Sequence, residues 1–228
     1  TSQKTINYPP KKGAWSKTWK KAATKLPNTP EIQAGLKTVQ EVEEATTWLQ
    51  FDAAEAASKH IMASLFEKAG LSVPKIFTKT ITEKTLSPEV VKAGGLIAYK
   101  AYIEGRGTDY KDMGRAKNLV YRKHREKGII APALEMARSF GDAATTFALT
   151  VGESSGVVVK KGNLYIKGDK YDFPNNFTLE GKNANDGWLW LQKKMALLNL
   201  NDKNSQKIEI NLGKVADIKK RYEAQQRT

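Results

Sequence analysis

A mainly helical chain with a small α+β section at its C-terminal end is what this sequence predicts, and three observations carry that expectation. Apolar residues recur three and four apart at Ile32, Leu36, Val39 and Val42, and again at Leu49, Ile61, Leu65 and Phe66, which is the period of a helix with one buried face. Proline-marked helix starts occur at Thr29-Pro30-Glu31 and Ser87-Pro88-Glu89, each with a capping hydroxyl, a proline in the first turn and an acid beside the positive end of the helix. After residue 150 the pattern changes to short β-branched and aromatic runs separated by KKGN, GDK and PNN, which are turn residues.

The opening segment, residues 1–28, holds seven lysines and no acid. It reads as a basic N-terminal arm kept extended at Pro9-Pro10, followed by a short helix over 14–26. Trp15 and Trp19, four apart, share one face of that helix with Ala22, Ala23 and Leu26, while Lys17, Lys20, Lys21 and Lys25 take the remainder. Such spacing suits docking onto the body or onto a neighbouring subunit. Indoles interleaved with lysines also suit stacking on unpaired bases.

Residues 29–150 form the helical body. One helix starts at Thr29, and a second covers the Trp48–Ala69 stretch, where Ala53, Ala54, Ala56 and Ala57 allow close packing and Gly70 with Pro74 marks the stop. His60 falls inside it in an ordinary surface or core role. KIFTKTITEKT alternates apolar and polar residues, as a short strand or an extended connection does. The helix from Ser87 runs toward Ile103, with Gly94-Gly95 a candidate interruption, and Pro132 to Leu149 reads as a further helix. Residues 151–228 form the α+β section. Its strands are expected at Val157–Lys160, Leu164–Lys167, Phe177–Glu180 and Lys207–Leu212, with helices over NDGWLWLQKKMALLNL and the closing GKVADIKKRYEAQQ.

Net charge is +14, from 38 basic and 24 acidic residues. Its location matters more than its total, because a polyanion responds to a local patch. Half of the excess lies in the arm. Much of the rest lies in a helix where Lys111, Arg115, Lys117, Arg122, Lys123, Arg125 and Lys127 occupy seventeen positions. At 100° per residue Arg115, Arg122 and Lys111 share a face with Arg125 near them, and Arg106 sits in the glycine-flanked loop just before. A phosphate ladder fits this surface, so the expected partner is nucleic acid, RNA or DNA, held by its backbone. The basic arm, the docking tryptophans and the alanine-rich helices together suggest self-association along the polymer, as in a viral nucleocapsid or coat protein. A basic structural module that binds an acidic protein is the other non-enzymatic possibility.

Several classes are excluded. With no cysteine there is no disulfide, thiol nucleophile or Cys-based zinc site. Two histidines leave little material for a His-rich metal centre. No apolar run approaches the ~20 residues that span a bilayer, and no signal-peptide pattern opens the chain, so the expected setting is intracellular (cytoplasm, nucleoid or nucleus) or the virion. Glycine-rich phosphate loops are absent. No cofactor is expected outside the following alternative.

Asp172, Glu180 and Lys182, in YDFPNNFTLEGK, resemble a shortened form of the PD-(D/E)XK nuclease pattern. The resemblance implies an acid on one strand and Glu-x-Lys on the next, holding Mg²⁺ beside a scissile phosphate. Gln192 and Lys193 on the following helix, and Glu135 or Glu153 as a further ligand, would complete it. Tyr171 stands where that family has proline, and the interval from acid to glutamate is short. A solvent-facing hairpin with paired charges is the alternative reading of the same residues.

Overall fold

The computed structural model describes residues 8–47, 51–104, 142–151, 157–171, 186–200 and 203–227. In chain order the elements are helices α1 (Tyr8–Ala23), α2 (Pro30–Glu44), α3 (Phe51–Lys68), α4 (Pro88–Glu104) and α5 (Asp142–Val151), then strands β1 (Val157–Lys160) and β2 (Asn163–Lys170). Helix α6 (Asp186–Leu197), strand β3 (Lys207–Lys214) and helix α7 (Val215–Gln226) complete it. The chain is mainly helical, with one small antiparallel sheet and its helix toward the C-terminal end. Contacts divide it into two compact units along a different line from the three sequence segments. One draws on Thr1–Lys79 and Tyr171–Gln206, the other on Thr80–Lys170 and Lys207–Thr228.

The first unit is helical. Thr29 caps α2 by accepting the Ile32 N–H at 3.3 Å, and Pro30 follows in the first turn. The buried face of α2 carries Ile32, Val39 and Val42, and it packs mainly against α3. Ala53, Ala54, Ala56 and Ala57 are all buried on α3, and a Cβ at Gly35 of α2 would run into Leu65, so the two helices approach closely where side chains are small or missing. Helix α3 ends as its sequence requires: Gly70 takes φ 71, and the Leu71 N–H reaches back to the Phe66 carbonyl at 3.0 Å. A short 3₁₀ turn at Lys75–Phe77 then brings Phe77 into the core. Helix α6 buries Leu191 and Met195, and its Lys194 pairs with Glu41 of α2.

In the second unit the sheet order is β1-β2-β3, each neighbour antiparallel. Inward positions alternate: Ile208, Ile210 and Leu212 on β3, Leu164 and Ile166 on β2, Val157 on β1. Helix α4 packs on α5, on α7 and on the sheet. The β1–β2 turn places Lys161 at φ 51 and Gly162 at φ 77, the two left-handed central residues of a type I′ hairpin. Gly213 at φ 106 lies where the β2–β3 register shifts by one residue. Tyr99 of α4 meets Tyr222 of α7 edge-on at 5.2 Å, and burial, reinforced by the Glu223 carboxylate, raises its phenol above the ordinary tyrosine value.

Three expectations are corrected. Pro9-Pro10 does not hold the chain extended: both sit in the first turn of α1, where no N–H is needed for the helical ladder. KIFTKTITEKT is neither a strand nor a plain connection. It supplies the 3₁₀ turn and then a single parallel bridge, with the Ile81 N–H donating to Lys207 O at 2.8 Å and the Glu209 N–H to Ile81 O at 3.0 Å. Glu83 next accepts the Asn211 N–H at 3.1 Å, so this segment covers the outer edge of β3. Gly94-Gly95 does not interrupt α4. The missing side chain at Gly94 instead makes room for the ring of Phe147, which is fully buried.

Replacing Gly94 by alanine tests that last contact. Helix propensity favours alanine by ~1 kcal/mol, but the new methyl overlaps the Phe147 ring and no flexible group yields to it. The Gly94→Ala chain is expected to be less stable by about 1–3 kcal/mol, measured by urea denaturation.

Candidate nucleic-acid interface

Helix α1 is where the described structure bears most directly on the basic surface. Its apolar residues are few, so the fold depends on which of them are buried. Trp15 is 6% and Trp19 5% exposed. Both indoles are inside the first unit, against α2, α3 and the 3₁₀ turn.

Each tryptophan is held differently. The Trp19 Nε1–H donates to Glu43 Oε2 at 3.2 Å, a buried bond between residues 24 positions apart. Trp15 meets Phe77 edge-on with centroids 5.8 Å apart, and Phe77 packs in turn on Phe66 at 6.0 Å. Above the Trp15 ring lies Lys59 Nζ, 5.6 Å from its centroid, which also pairs with Glu55 at 3.0 Å. One aromatic row thus joins α1, α3 and the turn at Lys75–Phe77.

Burying the indoles fixes the opposite face outward. On a helical wheel Trp15, Trp19 and Ala22 cluster on one side, and Lys17, Lys20 and Lys21 centre roughly 180° away. All three lysines are exposed, as is Lys25 just beyond the helix. Lys20 also lies 5.7 Å from the Trp19 centroid, a surface cation–π contact of about 0.5–1 kcal/mol. Lys17, Lys21 and Lys25 form no ion pair with any described residue. The face offers phosphate oxygens three or four ammonium groups on a rigid rod. It offers bases no ring to stack on.

The remaining sequence candidates fall elsewhere. Arg106, Lys111, Arg115, Lys117, Arg122, Lys123, Arg125 and Lys127 lie outside the described residues, and so do Asp172, Glu180 and Lys182. The expected strand Phe177–Glu180 falls there too. Tyr171, which precedes the carboxylate set, is buried with its ring 5.5 Å from that of His60, itself in the core of α3. Among the described residues no three His, Asp or Glu side chains gather as metal ligands.

Two features escaped the sequence reading. Glu43 is an acid on the buried side of α2, beside Val39 and Val42; its position on that face was the available signal, and its donor comes from another helix. The second is a lysine cluster at one end of the sheet. Lys160 pairs with Asn163 and Asn163 with Lys214, so residues far apart in sequence share the last rung, with Lys161 at the turn beside them.

No protein-family model matches the chain, and no curated protein or solved structure is significantly similar to it.

Trp19→Phe keeps most of the buried ring and removes the indole donor from Glu43. The expected cost is about 1–3 kcal/mol in urea denaturation. Combined with Glu43→Leu the loss is expected to be smaller than the sum of the two single changes, because the carboxylate that lost its donor is then gone.

Proposed function

We propose that this chain is a non-enzymatic nucleic-acid-binding protein that grips the phosphate backbone largely without regard to sequence, and that it assembles along the polymer as a coat or nucleocapsid protein does. The observation that carries the reading is the division of α1 into a buried tryptophan face and an exposed lysine face. Cations presented on a fixed helix neutralise phosphates wherever the strand lies, whereas indoles sealed in the core read no base. The seven lysines and no acid of residues 1–28, and the seven basic residues between Lys111 and Lys127, supply the charge. Assembly is supported by composition alone, because the tryptophans of α1 and the small residues of α3 are buried within the first unit. RNA and DNA are both suitable partners, since the grip is on the backbone.

Counterion release sets the quantitative test. Neutralising about six to ten phosphates makes affinity for labelled RNA or DNA fall ~10³–10⁵-fold between about 50 and 200 mM salt. A flat response would overturn the reading. Replacing Lys17, Lys20 and Lys21 together by glutamine is expected to weaken binding while lowering stability by only about 1 kcal/mol, the share of the Lys20–Trp19 contact. Arg115, Arg122 and Arg125 changed together to alanine are expected to weaken binding to every sequence alike; loss confined to one sequence would indicate base readout instead. Labelled strands are expected to stay intact in Mg²⁺ and Mn²⁺. Cleavage that Glu180→Ala abolishes would move the function to the carboxylate set.

A further inference from the structure

We propose that the tip of the β1–β2 hairpin is a second phosphate contact, in which Lys160, Lys161 and Lys214 bind the nucleic-acid backbone. The proposal rests on the nucleic-acid reading above and assigns to the second unit a surface that the charge distribution of the sequence did not single out.

Both central residues of a type I′ turn have positive φ, and asparagine followed by glycine fills those places with least strain. Here the second place holds Gly162 at φ 77, but the first holds Lys161 at φ 51. A lysine gains nothing locally from a left-handed backbone, and its Cβ crowds the neighbouring carbonyl there. What it gains is position, at the outermost point of the sheet with its side chain in solvent.

The last rung of all three strands reads Lys160, Asn163, Lys214, and both lysines are exposed. Their backbones are two strand spacings apart, about 10 Å, a gap over which flexible four-carbon stems reach successive phosphates of one strand. None of the three lysines forms an ion pair with a described residue. Asp217, the acid nearest in sequence to Lys214, forms none with them either. Three like charges at one sheet end repel one another until an anion arrives.

The Val215 N–H donates to Gly162 O at 2.9 Å, which ties the turn to the residue following Lys214 and holds the cluster together without an anion present.

Lys161→Asn separates charge from structure, because asparagine is at home in the left-handed position. Its thermal midpoint is expected to equal or exceed that of the wild-type chain, while binding to a labelled oligo-uridine RNA weakens about fivefold near 0.1 M salt and the salt slope falls by ~0.7. Adding Lys160→Gln and Lys214→Gln is expected to lower the slope by ~2 in all. If Lys161→Asn lowers the midpoint, the Lys160→Gln/Lys214→Gln pair carries the same slope test. Salt-dependent binding by the wild-type chain with an unchanged slope in the triple variant would overturn this proposal and leave the nucleic-acid reading standing. Failure of the wild-type chain to bind would remove both.

Discussion

Burial of the two tryptophans of α1 is the constraint on which the described basic surface depends. Without it, residues 8–23 are a lysine-rich segment with little apolar area and a low prospect of staying helical alone. With it, the indoles add the area that anchors the helix, and the lysines are left nowhere to go but outward. Glu43 makes the arrangement specific. Trp19 kept buried without that acceptor would lose about 1–3 kcal/mol, whereas the Trp15 Nε1 is buried with no hydrogen-bond partner among the described residues. Apolar burial therefore chooses which side of α1 faces water, and the Trp19–Glu43 bond adds to that choice.

Much of the fold was legible because local chemistry and tertiary structure agree. Thr29-Pro30-Glu31 begins α2 as its capping residues require, Gly70 stops α3 by adopting φ 71, and the alternation of Ile208, Ile210 and Leu212 marks β3. The readings that failed did so where a distant partner overrides local preference. Two prolines look like an extended arm until their place in a first turn is known. Ile81 alternates like a strand residue, yet its pairing is one bridge onto a strand more than a hundred residues later. Gly94-Gly95 looks like a break until Phe147 is seen to fill the space.

The candidate surface was legible in the same uneven way. Spacing of four showed that Trp15 and Trp19 share a face, and so which lysines oppose them. It carried no information about Glu43, because hydrogen-bond partners on separate helices leave no periodic trace. KKGN was recognisable as a turn. That its first glycine-like position is a lysine held left-handed, at a cost of about 1–2 kcal/mol, follows only from the backbone.

The two compact units are each assembled from segments separated by about ninety or by thirty-odd residues of chain, and this bears on how the protein is made. A ribosome delivers α1, α2 and α3 long before α6, and α4 and α5 before β3. Ile97, Leu96 and Phe147 therefore wait without the strand and helix that complete their core, and loop-closure entropy delays the meeting further. Neither core is complete until residue 206 has emerged, so a nascent chain exposes half-built apolar surfaces up to that point.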